Sequence, residues 1–218
     1  HRRIVETALE NLHFAKALDV GCGVGHSSMA LLPFCDHVMG VDPSPQMISS
    51  ARTHTRISYV LGNGQTLPKR EGPYDLVCLA GVLPYLDTAN FAEDMRRVCT
   101  PSAMVLVYDF KVDIDDLVSA LGLPDAPSAR AYNHAANLSD RAVITTLKAT
   151  CERASFTATP EDLANLLLAN EARAQRITEH LGVEDPTAIL IGQIEEQLRI
   201  VTRHATIWCA LHRLEDCT

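Results

Sequence analysis

The sequence has few of the features that mark membrane, metal-binding or nucleic-acid-binding proteins. No apolar run reaches the length needed to cross a bilayer, and no segment has the pattern of a signal peptide. The nine histidines show no ligand spacing and no H-E-x-x-H motif, so we expect no metal site. No basic run is longer than two residues and the net charge is −8, which argues against nucleic acid as a partner because a phosphate backbone requires a positive surface.

Cysteine pairing motifs are also missing. The seven cysteines include no C-x-x-C pair and are odd in number, and several of them stand in predicted core strands. We therefore interpret them as buried free thiols, which is typical of a reducing cytosol and predicts a cytoplasmic protein. The length of 218 residues suits one α/β domain, and 47% hydrophobic with 21% charged residues is ordinary for a globular protein.

Glycines at alternate positions mark the stretch around which the chain is organised. Ala17, Leu18 and Val20 supply the apolar positions of a short strand typical of a central parallel strand, and three glycines, Gly21, Gly23 and Gly25, follow it. Without Cβ atoms, the backbone can turn tightly and let a ligand approach closely. Residues 27–32 then predict a helix whose first N–H groups point toward that ligand.

A carboxylate ends the next predicted strand, residues 37–42. In a doubly wound sheet, an acid at the end of the second strand accepts hydrogen bonds from both hydroxyls of a ribose. Asp42 therefore predicts a cofactor that contains adenosine. We expect its side chain to face solvent until that cofactor binds.

The spacing of the glycines separates two classes of adenosine cofactor. Dinucleotide-binding loops have the pattern G-x-G-x-x-G, because a pyrophosphate sits at the N-terminus of the following helix. This loop reads G-x-G-x-G, with His26 where the third dinucleotide glycine would stand. Asp19, two residues before the first glycine, could orient an ammonium group rather than a phosphate.

These residues resemble the first motif of the class I S-adenosylmethionine-dependent methyltransferases, which is a hydrophobic strand, an acid and G-x-G-x-G. The resemblance is specific over residues 15–110. It implies an α/β, doubly wound, Rossmann-like fold with a seven-stranded, mostly parallel sheet, an antiparallel last strand and a helical lid or insert. It also implies S-adenosylmethionine as methyl donor, S-adenosylhomocysteine as product, and in-line transfer of the methyl group to a small-molecule acceptor.

Two later segments resemble the parts of this family that hold the adenine. Ser44 and Pro45 have the pattern of a helix start, and Met47 stands where relatives pack a methionine on the adenine, although a place in the core fits equally well. Asn63 takes the place of an aspartate that accepts from the adenine amine; its amide oxygen can still accept, without the charge assistance. Gly64 could instead belong to an Asn-Gly turn.

The fourth predicted strand, residues 74–80, and the loop after it resemble the family's F-D-L-V and A-L-H-H-L segments. Pro84 and Tyr85 replace the two histidines of that loop. Histidine-assisted chemistry is therefore not expected there. Tyr85 could cover the cofactor, face the acceptor or pack in the core.

Apolar periodicity and capping signals predict the remaining elements. They are helices over 3–12, from 44, from 87 and over 113–121; strands over 57–61 and 104–109 with a turn at 99–103; a sixth strand within 143–157; three helices between 159 and about 200 with a stop at Gly182; and a last strand over 204–214. This tail resembles the type-11 small-molecule methyltransferases. We predict one domain over 1–218, with a cofactor-binding half (1–112), a helical acceptor and lid region (113–200) and a final strand (201–218).

The resemblance also implies which residues form the site. For the cofactor they are Asp19, Gly21, Cys22, Gly23, Gly25, Asp42, Pro43, Met47, Asn63, Gly64, Gln65, Ala80 and Tyr85. The acceptor is expected beyond the carboxyl ends of strands four and five, under residues 122–140 as a mobile lid. Asp109 and Tyr132 are candidate acceptor contacts, and Tyr85 and His134 are candidate catalytic residues. If His134 removes a proton, activity should fall as pH drops through the range where free imidazole is protonated, about 6.5.

Two other classes of function stay open at this point. One is a protein that binds S-adenosylmethionine without transferring its methyl group, as a regulator or as a catalyst of another reaction. The other is a nicotinamide-dependent oxidoreductase that uses the same Asp42. The oligomeric state is not indicated by the sequence.

Overall fold

The computed structural model describes residues 1–63, 67, 72–124, 132–197 and 201–215. Within these residues the strands are β1 (Phe14–Val20), β2 (Cys35–Asp42), β3 (Ile57–Leu61), β4 (Tyr74–Ala80), β5 (Cys99–Val112), β6 (Ile144–Ala158) and β7 (Val201–Leu214). The α-helices are α1 (Arg2–Leu9), α2 (His26–Leu31), α3 (Pro45–Ser49), α4 (Thr88–Val98), α5 (Asp115–Ala120), α6 (Pro160–Leu168), α7 (Glu171–Leu181) and α8 (Thr187–Gln197). Single 3₁₀ turns cover Leu32–Phe34 and Leu83–Tyr85.

The strands form one sheet in the order β3-β2-β1-β4-β5-β7-β6. The pairs β1–β2, β2–β3, β1–β4 and β4–β5 are parallel. β7 runs antiparallel to β6, since Glu215 N–H donates to the Val143 carbonyl while Thr150 Oγ1, further along β6, donates to the Cys209 carbonyl. The predicted fold class is therefore confirmed. The strand order reverses between β1 and β4, which is where open α/β sheets bind ligands.

Apolar runs explain why β1 and β4 lie in the middle of this sheet. Leu18, Leu76 and Leu79 are completely buried, as central parallel strands require when both faces are covered. Asp75, the acid of the segment that resembles F-D-L-V, fixes the position of β4 relative to β1. The Asp75 carboxylate accepts hydrogen bonds at 2.8 Å from the N–H groups of Ala15 and Lys16, which attaches the start of β4 to the start of β1.

The chain folds into two compact units. The first comprises His1–Asp109, Asn133–Cys151 and Trp208–Thr218, and its core includes Phe91 and Met95 of α4, which are buried as the helical spacing predicts. The second comprises Phe110–Tyr132 and Glu152–Ile207. Its core is formed by the apolar faces of α5, α6, α7 and α8.

Element boundaries agree best where the sequence gives a sharp signal. β3 and β4 have the predicted bounds, Thr159 and Asp162 form a reciprocal capping box at the start of α6, and α7 stops at Gly182 with a left-handed backbone. The predicted turn at residues 99–103 is wrong, because β5 already begins at Cys99. The pairing of β5 with β4 changes register in this region. The predicted helix over 3–12 is too long, since α1 ends at Leu9 and Leu12 is 41% exposed.

The cysteines described by the structure are free thiols, as predicted. Cys22, Cys35 and Cys78 are buried and Cys99 and Cys209 are half-buried, whereas Cys151 is exposed, so the prediction of burial is wrong for Cys151. Cys217 lies outside the described residues. None of the helices that the structure describes is long and apolar enough to cross a membrane.

His212 in β7 makes the stability of the first unit depend on pH. The side chain is completely buried, Nδ1 lies 3.0 Å from Thr146 Oγ1, and Nε2 has no hydrogen-bond partner among the described residues. Burial lowers the pKa of His212 from 6.5 to about 4. Between these values the unfolded chain binds a proton that the folded chain does not, so stability is complete above about pH 6.5 and is lost as pH falls toward 4.

We predict that His212→Asn removes much of this acid sensitivity. From pH 7 to pH 4.5, the free energy of unfolding should fall by up to about 3 kcal/mol less in the variant than in the wild type. Urea denaturation at several pH values measures it, with exposed His180→Gln as the matched control. Equal slopes for wild type and His212→Asn would contradict the prediction.

Candidate functional site

The loop after β1 is fastened to β2 by backbone hydrogen bonds. The N–H groups of Gly21 and Cys22 both donate to the Val41 carbonyl, at 2.8 and 3.1 Å, and Gly25 N–H donates to the Cys22 carbonyl at 2.9 Å. All three glycines of the loop have positive φ, at +70°, +52° and +86°. Every second residue of the loop therefore has a left-handed backbone conformation, which favours glycine.

The three glycines are needed for different reasons. A Cβ on Gly21 would lie 2.6 Å from Val82 Cγ2, and one on Gly25 would collide with the Tyr59 hydroxyl. A Cβ on Gly23 would meet no atom of the described residues within 4 Å. Gly21 and Gly25 are thus required by the protein's own packing, whereas no described residue packs against Gly23.

Asp42 holds this loop in place. Its Oδ2 accepts from Gly23 N–H and its Oδ1 from Ser44 N–H, both at 2.9 Å. The expectation that this carboxylate faces solvent is wrong, because it is only 8% exposed. The two hydrogen bonds hold the side chain at the end of β2. Each carboxylate oxygen still has a lone pair that can accept from a further donor.

Asp19 is completely buried beneath the start of α2. Its Oδ2 accepts from the hydroxyls of Ser27 and Ser28, at 2.7 and 2.5 Å, while Oδ1 has no hydrogen-bond partner among the described residues. Burial raises the pKa of Asp19, and the serine hydroxyls oppose that shift. The side chain therefore positions the first turn of α2, and an ammonium group would have to reach its remaining oxygen.

The other predicted cofactor residues border the same strand ends. Cys22 is 4% exposed and burial raises its pKa to about 12, so it contributes backbone rather than a reactive thiol. Pro43 and Asn63 are exposed and Ala80 is half-buried. Met47 and Tyr85 are 41% and 73% exposed, so the alternative that they pack in the core is wrong. Gly64 and Gln65 lie outside the described residues.

Tyr59 of β3 supports the loop, and no sequence signal pointed to it. Its ring lies over Gly40, where a Cβ would stand 2.6 Å from Tyr59 Cδ1, and its hydroxyl donates to the Arg52 carbonyl at 3.0 Å. It also limits the space at Gly25. These contacts reach Gly25, Gly40 and Arg52, which lie in other elements or loops, so the periodicity of β3 could not reveal them.

Two candidate site residues, Asp109 and His134, meet near the end of β5, which continues three residues beyond the predicted end at Asp109. Asp109 Oδ2 lies 3.1 Å from His134 Nδ1, and the His134 ring stacks on Trp208 of β7 with centroids 5.4 Å apart and planes 14° apart. Gly81, directly after β4, lies beside them: its N–H donates to the Tyr108 carbonyl, and a Cβ there would be 3.4 Å from Asp109 Oδ1. The sequence named Asp109 and His134 separately and missed Trp208 as their partner.

The segment proposed as a lid is only partly described. Residues 125–131 lie outside the described residues. Leu138 is completely buried in the core of the first unit, so the part that carries His134 has an apolar anchor that the composition did not suggest. Tyr132 is half-buried and belongs to the second unit, and its role at the site stays a prediction.

The residues present fit an adenosine-containing group. The space over Gly23, the spare acceptor capacity of Asp42 and the exposed Met47 and Asn63 all belong to the first unit. Across the described ranges, no three His, Cys, Asp or Glu side chains are grouped closely enough to hold a metal ion.

Comparison with known proteins agrees with the sequence resemblance. Residues 17–102 match the family model of a methyltransferase domain. An uncharacterized methyltransferase of Synechocystis sp. is 30% identical over 114 residues, covering 49% of this chain and 54% of that protein. The chain spans about half, or less, of the length of the curated relatives it matches.

Solved structures share the fold over nearly the whole chain. A proposed type II methyltransferase from Anaeromyxobacter dehalogenans superposes with a TM-score of 0.65 at 20% identity, covering 98% of this chain and 94% of that one. The [4+2]-cyclase SpnF superposes with a TM-score of 0.57 at 14% identity, covering 100% and 81%. The resemblance to the class I methyltransferases is confirmed, while the cyclase shows that the fold alone does not specify the reaction.

We predict that the three glycines of the loop differ in their effect on stability. Gly23→Ala should cost about 1–2 kcal/mol of unfolding free energy through its left-handed backbone alone. Gly21→Ala and Gly25→Ala should cost about 1–3 kcal/mol more, because each also overpacks a neighbour. Urea denaturation checks the series. Tyr59→Phe removes the colliding hydroxyl and should restore part of the loss in Gly25→Ala, and no restoration would contradict the assigned contact.

Proposed function

We propose that this chain, whose residues 17–102 form a methyltransferase domain on the class I fold, transfers a methyl group from S-adenosylmethionine to a small-molecule acceptor. The observation that carries the proposal is the open space over Gly23 beside the Asp42 carboxylate. A left-handed glycine against which no described residue packs leaves room for a ligand at that point. The domain match supports the choice of ligand.

Asp42 and the loop form the centre of the proposed cofactor site. The unused lone pairs of Asp42 accept from the two ribose hydroxyls, which are donors of the right number and spacing for one carboxylate. Met47 contacts the adenine and the Asn63 amide oxygen accepts from its exocyclic amine. The remaining contacts come from the backbone or side chains of Asp19, Gly21, Cys22, Gly25, Pro43, Gly64, Gln65, Ala80 and Tyr85.

The protein's task in this chemistry is mainly to orient the acceptor. S-adenosylmethionine supplies a methyl group that is already activated, because its leaving group is a neutral thioether. The side chains at the ends of β4 and β5 therefore have to place the acceptor atom in line and exclude water, which can provide much of the rate acceleration. Tyr85, Asp109, Tyr132 and His134 are the residues we assign to the acceptor. Free thiols at the described cysteines support a cytosolic location.

The G-x-G-x-G spacing makes a nicotinamide cofactor the weaker alternative. His26 opens α2 where a dinucleotide fold needs its third glycine, and its side chain stacks on His1. Calorimetric titration with S-adenosylhomocysteine and with NAD, side by side, separates the two classes. Binding of NAD but not of S-adenosylhomocysteine would overturn the proposal.

Asp42→Ala should weaken binding of S-adenosylhomocysteine by about 2–4 kcal/mol, because charge-assisted hydrogen bonds to the ribose are lost. It should also lower the free energy of unfolding, since Gly23 N–H and Ser44 N–H lose their acceptor. The 2′-deoxy analogue of S-adenosylhomocysteine separates these effects, because the variant should lose less affinity for it. Asp36→Ala, an exposed carboxylate at the other end of β2, is the matched control, and equal losses for both ligands would refute the ribose contact.

Methyl transfer itself is tested with S-adenosylmethionine labelled in the methyl group. Incubation with a panel of small hydroxyl, amine and thiol compounds should yield labelled product, and Gly23→Val should abolish both product and cofactor binding while the protein stays folded. Tight binding of S-adenosylhomocysteine without product from any acceptor would favour a binding protein or a catalyst of a different reaction.

A further inference from the structure

β6 lies at one edge of the sheet and is open over most of its length. Nine successive residues, 145–153, are exposed. Because successive side chains of a strand point to opposite faces, neither face of this stretch is buried by the described residues. No described strand pairs with its outer edge, since β7 is its one neighbour in the sheet. A long strand that is open on both faces and at its edge is a surface suited to pairing with another chain.

The contacts with β7 indicate which backbone groups of β6 point outward. The Val143 carbonyl accepts from Glu215 N–H, and three residues further along each strand Thr146 Oγ1 lies 3.0 Å from His212 Nδ1. Residues of an antiparallel strand direct their N–H and C=O groups alternately to one side and the other. The odd-numbered residues of β6 therefore bond to β7, and the even-numbered residues from 146 to 152 direct their backbone groups to the open edge.

The charges on this stretch are self-complementary. Lys148 and Glu152 have opposite signs, and each stands two residues from Thr150. A third charge, Arg153, already forms an ion pair with Asp113, with Nη2 and Oδ2 2.7 Å apart. When two copies of β6 pair antiparallel about a two-fold axis at Thr150, Lys148 of each copy lies opposite Glu152 of the partner subunit.

Other registers lose this match. Even-numbered residues must face even-numbered residues, because these carry the outward backbone groups. An axis at residue 148 or 152 places like charges opposite each other, and an axis at 149 or 151 places each charge opposite an uncharged side chain. Opposite charges directly across two strands are favourable and like charges are unfavourable. The charge pattern therefore favours the register centred on Thr150.

The uncharged side chains also fit this register. Leu147, which is 48% exposed, lies opposite Arg153, whose hydrocarbon stem can cover it. Ala149 lies opposite Cys151, and both side chains are small. Thr150 meets its own copy at the axis, where pairs of threonines are favourable.

From this arrangement we propose that β6 is a dimer interface, at which a second copy of this chain pairs antiparallel through residues 146–154 and continues the sheet. The same strand contributes both sides, so the interface is isologous. This inference is independent of the ligand and the reaction proposed above. One strand edge buries less surface than a permanent interface, so we expect a dimer that dissociates on dilution into the micromolar range.

Charge reversal tests the interface and its register together. Sedimentation velocity of the wild type should show a species of twice the 23.8 kDa of one chain, in equilibrium with the monomer. Lys148→Glu and Glu152→Lys should each raise the dimer dissociation constant by about 10- to 100-fold, because each places two pairs of like charges across the axis. The double variant, with both substitutions, restores opposite charges and should recover the wild-type constant.

Exposed Glu184→Lys is the matched control, because it changes the net charge as Glu152→Lys does and should leave the dimer unaffected. Circular dichroism should be the same for every variant, since the substituted side chains are exposed. A wild type that stays monomeric at about 1 mM would overturn the proposal. So would a dimer that the single variants do not weaken, or one that the double variant does not restore.

Amide hydrogen exchange of the wild type, followed by NMR, tests the pairing without any substitution. At high protein concentration the N–H groups of the even-numbered residues 146–152 should be protected, and dilution should remove that protection. The N–H groups of the odd-numbered residues 147–151 bond to β7 and should stay protected at both concentrations. Exchange at the even-numbered residues that does not change with concentration would overturn the interface.

Discussion

Two hydrogen bonds to one buried carboxylate fix the geometry on which the rest of the candidate site depends. Asp42 ties Gly23, in the loop after β1, to Ser44, at the start of α3, and the same strand end accepts two loop N–H groups through the Val41 carbonyl. Hydrogen bonds within the protein therefore hold the loop in this shape. Preorganisation of this kind reduces the entropy that binding would otherwise cost.

The alternating glycines show how one motif combines two kinds of constraint. Gly21 and Gly25 are small because Val82 and Tyr59 occupy the adjacent space, whereas Gly23 borders space that no described residue fills. A sequence pattern cannot distinguish these cases, because all three positions hold the same residue. The backbone does not distinguish them either, since all three glycines have a positive φ. Only the distances of the neighbouring atoms separate packing from ligand access.

Local signals predicted much of the fold, and non-local contacts account for what was missed. The bounds of β3 and β4, the capping box at Thr159 and the stop at Gly182 all depend on a few adjacent residues. The supporting ring of Tyr59, the serine partners of Asp19 and the stack on Trp208 join segments separated along the chain. Asp42 was identified correctly at its strand end but assigned the wrong environment, because its carboxylate accepts hydrogen bonds from the glycine loop and from Ser44 and is buried.

The two halves of the proposed site differ in what holds them. Near β1 and β2, most of the hydrogen bonds that hold the glycine loop involve backbone N–H and C=O groups. The local pattern of glycines and acids therefore suffices to specify the geometry. Near the end of β5 the geometry depends on side chains from three segments, Asp109, His134 and Trp208. Gly81 lies between these halves: it has a left-handed backbone, its N–H donates to the Tyr108 carbonyl, and a Cβ there would stand 3.4 Å from Asp109 Oδ1. A fold built this way separates the residues that shape the glycine loop from those around Asp109, so the second group can vary while the first stays the same.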